Sequence, residues 1–350
     1  MSASGVDIRI EGRVGRITID RPSALNALTH GIVRAVTRAL REWATEDAVA
    51  MLVIDAAGEK AFCAGGDLQD IYAAGKEGDA GPARAFWQDE YRMNALLFEF
   101  PKPVATFLQG FTLGGGVGLG CHGSHRIVGE TSQIAMPEVS IGLMPDVGGS
   151  LLLARCPGRL GEYLGTTATR MGPGCALHAE FADYFVPEAE WPALKAALIA
   201  TGDWEAVDRA ARPAPDSPLK AQQAEIDHYF GGETLGDILR ALAAEPSEFT
   251  QAAERRMARN APLAMACAIE AIHRMQGPTA WIRRALDLEY RYVWRAIAQG
   301  DFIEGIRAQI IDKDRAPRWR HAFGDVPLRE VSAMLMPLGA DALDLEGEDV

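Results

Sequence analysis

Cysteine is scarce and unpatterned in this chain of 350 residues. The five, Cys63, Cys121, Cys156, Cys175 and Cys267, are odd in number and scattered without C-x-x-C spacing, so a disulfide framework, a cysteine zinc site and a dithiol redox motif are all disfavoured. Positive charge is also short. Lys and Arg number 35 against 48 Asp and Glu, a formal net charge of -13, which argues against a nucleic-acid partner held by phosphate neutralisation. An anionic ligand would need backbone dipoles or a few well-placed basic residues. The opening MSASGVDIRIEG has no charged segment leading into an apolar core, so no leader is expected. Pro103 to Cys121 is uncharged, but its glycines and Gln109 suit a buried strand and turn better than a bilayer span. Free thiols, no leader and no membrane segment together lead us to expect a cytoplasmic protein. Repeats and low-complexity tracts are absent as well.

What is present is an ordinary globular composition, 48% hydrophobic and 24% charged, long enough for one large domain or two smaller ones. Ile8 and Ile10, then Ile17 and Ile19, alternate with polar residues around Gly12 to Gly15 and predict a hairpin. Thr29 is placed to cap a helix through Ile32, Val33, Val36, Leu40 and Trp43, and Ala50 to Ala56 reads as a buried strand, completing a parallel crossover unit. The loop Gly58 to Asp67 leads into a helical pattern through Leu68 and Ile71, with Asp67 expected to cap it. A loop at Gly75 to Pro82, a helix from Ala83 to Phe100, and strands at Val104 to Leu108, Arg126 to Val128 and Gln133 to Met136 continue the α/β alternation. After Gly149 the pattern turns helical, with a short apolar piece at Tyr184 to Val186, a linker-like PAPDSP at Pro213 to Pro218, and amphipathic helices at Leu235 to Ala243, Leu263 to Met275 and Ala280 to Ala298. A soft boundary is expected near Pro187, giving a core over 1–187 and a mostly helical region over 188–350 packing on it.

The chain is organised around Lys102 to Gly149. Three glycines, Gly114 to Gly116, follow an apolar strand and precede Val117 and Leu119, which is a strand-to-helix turn with backbone N–H groups facing outward. A glycine turn alone serves tight turns more often than chemistry. Here there are two, because Ala64 to Asp67 reads AGGD. Two such corners can aim amides at one oxygen, each donor contributing roughly 3 kcal/mol to a developing oxyanion. Glu138 and Asp146 follow among Ile134, Met136, Val139, Ile141, Leu143 and Met144, where a carboxylate is costly to desolvate unless paired or used.

The segments RPSALNAL (21–28), KAFCAGGD (60–67), GFTLGGGVGLG (110–120), AMPEVSIGLMPDVGG (135–149) and EGIRAQIIDKDRAPRW (304–319) together resemble the crotonase, or enoyl-CoA hydratase/isomerase, superfamily. Within it the chain is most similar to the 3-hydroxyisobutyryl-CoA hydrolases. The resemblance covers nearly the whole length in order. It implies a crotonase-like spiral of βαβ units with a helical C-terminal region, and an acyl-CoA whose thioester oxygen lies in an oxyanion hole formed by the amides of Gly66 and Gly115. Hydratases of the superfamily use two glutamates. The second falls on Glu138, but the first falls on Gly118, which argues against two-glutamate hydration. The hydrolase subgroup has an aspartate in its P-D-V-G-G step, matched by Asp146, and a substrate-contacting glutamate matched by Glu90.

The resemblance therefore implies hydrolysis of a short 3-hydroxyacyl-CoA thioester, with 3-hydroxyisobutyryl-CoA of valine breakdown as the expected substrate. Glu138 and Asp146 are the catalytic candidates, and Glu90, Gly115, Glu138 and Asp146 contact the substrate. Glu138 either attacks the carbonyl itself, giving a mixed anhydride, or deprotonates a water. Arg21 and Lys60, each beside a motif, are the candidates to offset the CoA phosphates. No cofactor beyond the CoA of the substrate and no metal is expected. His122 and His125 lack a third ligand at suitable spacing, and HGSH reads as a turn. Cys63 has no histidine placed to activate it and reads as packing, as does Gly118. Asp312, Lys313 and Asp314 read as a solvated or ion-paired turn. A homo-oligomer is left open, as is the preference among small hydroxyacyl groups. Two rival readings stand: enoyl-CoA hydration or isomerisation, and acyl-CoA binding without catalysis.

Overall fold

The expected hairpin forms: β1 (Ser2–Ala3), β2 (Val6–Glu11) and β3 (Val14–Ile19) run antiparallel, with Val6 opposite Ile19 and Glu11 opposite Val14; Ile17 and Ile19 are buried, whereas Ile10 on β2 is exposed. The computed structural model describes residues 2, 3 and 5–347; Met1 and Ser4, part of the stretch read for a leader, and 348–350 lie outside the described residues. The Thr29 side chain accepts from the Ile32 amide at 3.3 Å and so caps α1 (His30–Ala44), whose Ile32, Val33, Val36, Leu40 and Trp43 are buried. β4 (Met51–Ala56) then pairs parallel to β3, as the crossover requires.

From β4 onward the chain supplies strands alternately to two sheets. β5 (Ala61–Cys63) is followed by α2 (Gln69–Lys76) and α3 (Gly81–Phe98); β6 (Val104–Phe107) and β7 (Phe111–Leu113) by α4 (Gly115–Gly120); β8 (His125–Val128) and β9 (Gln133–Ala135) by α5 (Gly149–Arg155), α6 (Leu160–Thr167), α7 (Pro173–His178) and β10 (Tyr184–Phe185). The large sheet has the order β1-β2-β3-β4-β6-β8-β10 and the small one β5-β7-β9, parallel throughout. Each turn of the chain thus adds one strand to each sheet, an α/β spiral of the kind the resemblance implies.

β5 lies inside the stretch read as a loop, Gly58 to Asp67, and β7 lies over 111–113, for which the sequence predicted no element. At three residues each, beside glycine turns, neither shows an alternation of its own, whereas the equally short β9 is the strand expected over Gln133 to Met136. The loop expected over Gly75 to Pro82 shrinks to four residues, 77–80, because α2 runs to Lys76 and α3 starts at Gly81. PAPDSP is no free linker either. A Cβ built on Gly174 of α7 would fall 2.3 Å from the Pro215 carbonyl oxygen and 2.4 Å from that of Asp216, so the segment is packed against α7.

The remainder is helical: α8 (Trp191–Thr201), α9 (Glu205–Ala210), α10 (Pro218–Ala221), α11 (Gln223–Tyr229), α12 (Leu235–Ala244), α13 (Glu248–Met257), α14 (Pro262–Arg274), α15 (Ile282–Gln299), α16 (Phe302–Ile306), a π-helical turn (Arg307–Ile311) and α17 (Leu328–Met334). Residues on both sides of Pro187 share one hydrophobic cluster, Leu28 and Tyr91 with Ile272 and Tyr292, while Val53 and Phe107 on the large sheet pack with Trp191 and Leu198 of α8. α15 packs on both α3 and α5, so a helix late in the chain lies against the segment richest in motifs. Among the described residues no helix is long and apolar enough to cross a membrane.

Candidate active site

The three strands of the small sheet lie side by side and parallel, so their carboxyl ends open at one edge, where ligands collect in α/β sheets. β5 is followed by Ala64–Gly66, β7 by Gly114, and β9 by Met136–Glu138. Register alone therefore brings together the two glycine corners and the Pro137–Glu138 step. At Gly114 the backbone takes φ +53 and ψ -118, a region an L side chain avoids. That turn aims the start of α4 at the corner from β5.

A Cβ built on Gly115 would lie 3.4 Å from the Gly66 amide nitrogen and 2.6 Å from Glu90 Oε1; one on Gly114 would lie 2.6 Å from Glu138 Oε1. Neighbouring amides are engaged in holding the corners: Leu28 N donates to Gly65 O, Asp67 N to Leu28 O, Gly114 N to Ala135 O, and Val117 N to Gly114 O. The Gly66 and Gly115 amides stand outside that network. They line a cavity of ≈ 210 Å³ with Glu90, Glu138 and Asp146, walled by Phe86, Trp87, Leu143 and Ile310.

The carboxyls are almost sealed from water, with Glu90 3% exposed and Glu138 and Asp146 each 5%. Among the described residues, Glu90 Oε1 and Glu138 Oε2 have no hydrogen-bond partner, whereas Asp146 Oδ2 accepts from the Tyr91 hydroxyl at 2.7 Å. Burial pushes Glu90 and Glu138 well above the usual carboxylate range, and the Asp146 charge pushes both further. Burial also raises Asp146, but the Tyr91 hydroxyl and its own amide hold it to about 6. Asp146 is thus the group that ionises most readily, and Glu138 the stronger base beside it.

A fourth carboxyl belongs to this group. Glu289, on α15 and fully buried, accepts from the Gly148 amide at 2.7 Å, from the Ser150 amide at 2.9 Å and from the Ser150 hydroxyl. Burial and Asp146 raise it to about 7. Neither Tyr91 nor Glu289 was singled out in the sequence. Adjacent helix positions do not face the same way, so Glu90 gives no hint that Tyr91 also reaches the site, and Glu289 is separated from Gly148 by 141 positions.

Other candidates fall elsewhere. Gly118 faces Asn94 Nδ2 and Val147 Cβ, which would lie 2.7 and 2.8 Å from an added Cβ, so no side chain fits there. Asp67 does not cap α2; its Oδ2 accepts from Arg21 at 3.1 Å, and Leu68 precedes the helix without a side-chain cap. Arg21 also donates to the Ala27 carbonyl, while Lys60 is exposed just before β5. Cys63 is buried, its thiol pushed up to about 12 by desolvation, which keeps it a thiol. His122 meets the Val147 carbonyl through Nε2 at 2.7 Å, and burial pushes it down to about 4; His125 begins β8 rather than lying in a turn, with Nδ1 at 2.9 Å from Ser124 Oγ. Asp312 and Asp314 both pair with Arg307.

The enoyl-CoA hydratase/isomerase family profile matches residues 14–335. The mitochondrial 3-hydroxyisobutyryl-CoA hydrolase of Gallus gallus is 32% identical over 356 aligned residues, covering 98% of this chain and 92% of that protein. A crystal structure described as an enoyl-CoA hydratase from Rhodobacter sphaeroides 2.4.1 is 53% identical with a TM-score of 0.92, covering 97% of this chain and 100% of the other. A crystal structure described as a carnitinyl-CoA dehydratase from Mycobacterium thermoresistibile is 37% identical with a TM-score of 0.93, over 99% and 100%.

Proposed function

The chain belongs to the enoyl-CoA hydratase/isomerase family, and from that premise we propose that it is an acyl-CoA thioester hydrolase acting on a short 3-hydroxyacyl-CoA, with 3-hydroxyisobutyryl-CoA as the foremost substrate. One observation carries this reading. Glu138 and Asp146 face the amides of Gly66 and Gly115 across one small cavity, while the position where a hydratase would carry its first glutamate is Gly118, closed by Asn94 and Val147.

The thioester carbonyl oxygen takes two amide hydrogen bonds, which strengthen as negative charge develops on it. Glu138, a strong base because it is buried, either attacks the carbonyl carbon or removes a proton from an attacking water. In the first route a mixed anhydride forms, CoA leaves as thiolate, and water then hydrolyses the anhydride. In the second, the acid and the thiolate form in one sequence of addition and elimination. Asp146, oriented by Tyr91, accepts the acyl hydroxyl. Glu90, raised by burial and by Asp146 and lying close to Gly115, favours its protonated form, in which it can donate rather than repel the charge on the carbonyl oxygen.

Pocket chemistry supports the acyl class. No Lys, Arg or His is among the described residues lining the cavity, so an acyl group carrying its own carboxylate would meet three acids and no counter-charge. A neutral hydroxyacyl group offers a hydrogen-bond donor instead. For the CoA phosphates, Arg21 beside Asp67 and exposed Lys60 are our candidates.

Enoyl-CoA hydration is the second reading, favoured by the description of the 53%-identical Rhodobacter structure. Paired assays separate the two. Thiol release from 3-hydroxyisobutyryl-CoA supports hydrolysis; loss of the conjugated absorbance of crotonyl-CoA without thiol release overturns it; binding with neither leaves the non-catalytic rival. A single turnover in ¹⁸O-water, followed by mass analysis of the peptide holding Glu138, labels Glu138 only when an anhydride forms and water attacks it at the Glu138 carbonyl, so label there demonstrates the anhydride route.

A further inference from the structure

Glu289 does not line the cavity and has no part in the steps described above, yet it grips the segment that carries Asp146. Asp146 stands at the head of a strained turn: Val147 takes φ +53, costly for a β-branched residue, and Gly148 follows at φ +83. Strain of that kind persists only where the surroundings hold it. On one side His122 Nε2 meets the Val147 carbonyl at 2.7 Å. On the other, the Glu289 carboxyl takes three donors at once: the Gly148 amide, the Ser150 amide and the Ser150 hydroxyl.

We propose that Glu289 is a positioning residue for hydrolysis: from α15 it fixes the Gly148 and Ser150 amides on either side of Gly149, whose own amide donates to the Asp146 carbonyl at 2.7 Å, and through them the direction of the Asp146 carboxylate. A buried carboxylate among apolar side chains is a poor choice for capping a short helix, since an uncharged acceptor would do at lower desolvation cost. Its charge has a further effect. Glu289, raised to about 7, adds to the negative potential that keeps Glu138 basic.

The groups around α15 define that field. α3 presents Glu90 and Tyr91, the strained turn Asp146, the Pro137 step Glu138, α5 the Ser150 hydroxyl, and the segment after α4 the neutral His122. α14 presents Cys267, and Asp301 at the start of α16 lies nearby; both act on Tyr292 further along the helix. Arg291 is engaged with Asp287 and with the Leu335 carbonyl after α17, and Arg92 acts on Tyr290.

The test uses the full chain and two variants. Glu289→Gln should lower kcat for thiol release by about 10- to 100-fold through misplacement of Asp146, with KM changed by less than about twofold. Melting temperature measured from about pH 5 to about pH 8 should fall less steeply in the variant, because a folded-state acid raised above its unfolded value withdraws stability as pH rises. Loss of activity and melting temperature in parallel at every pH, with the slope unchanged, would reduce Glu289 to a helix cap and overturn the proposal, as would wild-type kcat. Should Glu289→Gln not fold, Ser150→Ala decides: it removes one of the three donors and should lower kcat several-fold at constant KM, and wild-type kcat there sinks the idea. This inference rests on the hydrolase reading for its reaction only. If the wild-type chain releases no thiol, that reading fails, and the melting slopes still test Glu289.

Discussion

The Tyr91 hydroxyl donates to Asp146 Oδ2 at 2.7 Å, in a site where neither Glu90 Oε1 nor Glu138 Oε2 has a partner among the described residues. One hydrogen bond thus distinguishes three otherwise similar buried acids. It favours the ionised form of Asp146 and leaves Glu138 as the acid that takes up a proton. In a buried site a charge-assisted bond of this kind is worth about 1.5–3 kcal/mol.

Tyr91→Phe removes that bond without changing the volume greatly. Asp146 then ionises at higher pH, so the rising limb of kcat/KM for thiol release should move upward, with a loss of about 10-fold near neutral pH that shrinks at alkaline pH. A pH–rate profile overlaying that of the wild-type chain would show that Asp146 does not act as an anion.

Glu138→Gln keeps the shape and removes the base. Turnover should fall by roughly 10²- to 10⁴-fold while acyl-CoA binding, followed by calorimetry, persists. Near-parental thiol release would show that Glu138 is neither nucleophile nor base.

The same burial predicts an unusual pH dependence of stability. Glu90, Glu138, Asp146 and Glu289 all titrate above their ordinary range, Asp146 at about 6 and Glu289 at about 7. The folded chain therefore binds more protons than the unfolded one once pH exceeds the unfolded carboxyl values, and stability falls as pH rises through the folded values. Acids held low by cations, such as Asp55 with Lys195 and Arg16, act in the opposite sense, but their contribution is already complete by about pH 5. Buried His122, pushed down to about 4, and His125, also lowered by burial, oppose the decline as well, and their contribution is complete by about pH 7. Urea unfolding should therefore show stability declining between about pH 7 and about pH 8, where the buried acids act alone, and Glu138→Gln should flatten the decline. A curve rising over that window would mean that the four acids do not gain protons on folding.

Much of this was legible in the sequence because the site is built at strand ends. Gly66, Gly115, Glu138 and Asp146 each sit in a short motif, and the parallel order β5-β7-β9 turns those separate motifs into neighbours. Of those three strands only β9 was legible, as Gln133 to Met136; β5 and β7, three residues each beside glycine turns, show no alternation of their own. Glu289 was hidden for another reason. On α15 it stands among Ile282, Leu286 and Val293 as one acid in an amphipathic helix rich in arginine, and only the fold shows that it faces inward. Asp67 shows the converse, a residue whose local pattern suggested a cap but whose tertiary partner, Arg21, claims it.

Gly118 bears on which reaction the site performs. An added Cβ would lie 2.7 Å from Asn94 Nδ2 and 2.8 Å from Val147 Cβ, and neither can retreat easily: Asn94 is fully buried on α3, and Val147 belongs to the turn that carries Asp146. Gly118→Ala should therefore cost roughly 1–3 kcal/mol in urea unfolding through overpacking. Gly118→Glu should misfold rather than become a hydratase. Pairing it with Val147→Gly removes one of the two obstructions, leaving the Asn94 side chain to shift, and relieves the positive φ at 147, so the double variant is the one in which crotonyl-CoA hydration should emerge while thiol release declines. If Gly118→Glu alone folds with wild-type stability and hydrates crotonyl-CoA, the space at 118 is not what separates hydrolysis from hydration, and the preference must lie in the placement of Asp146.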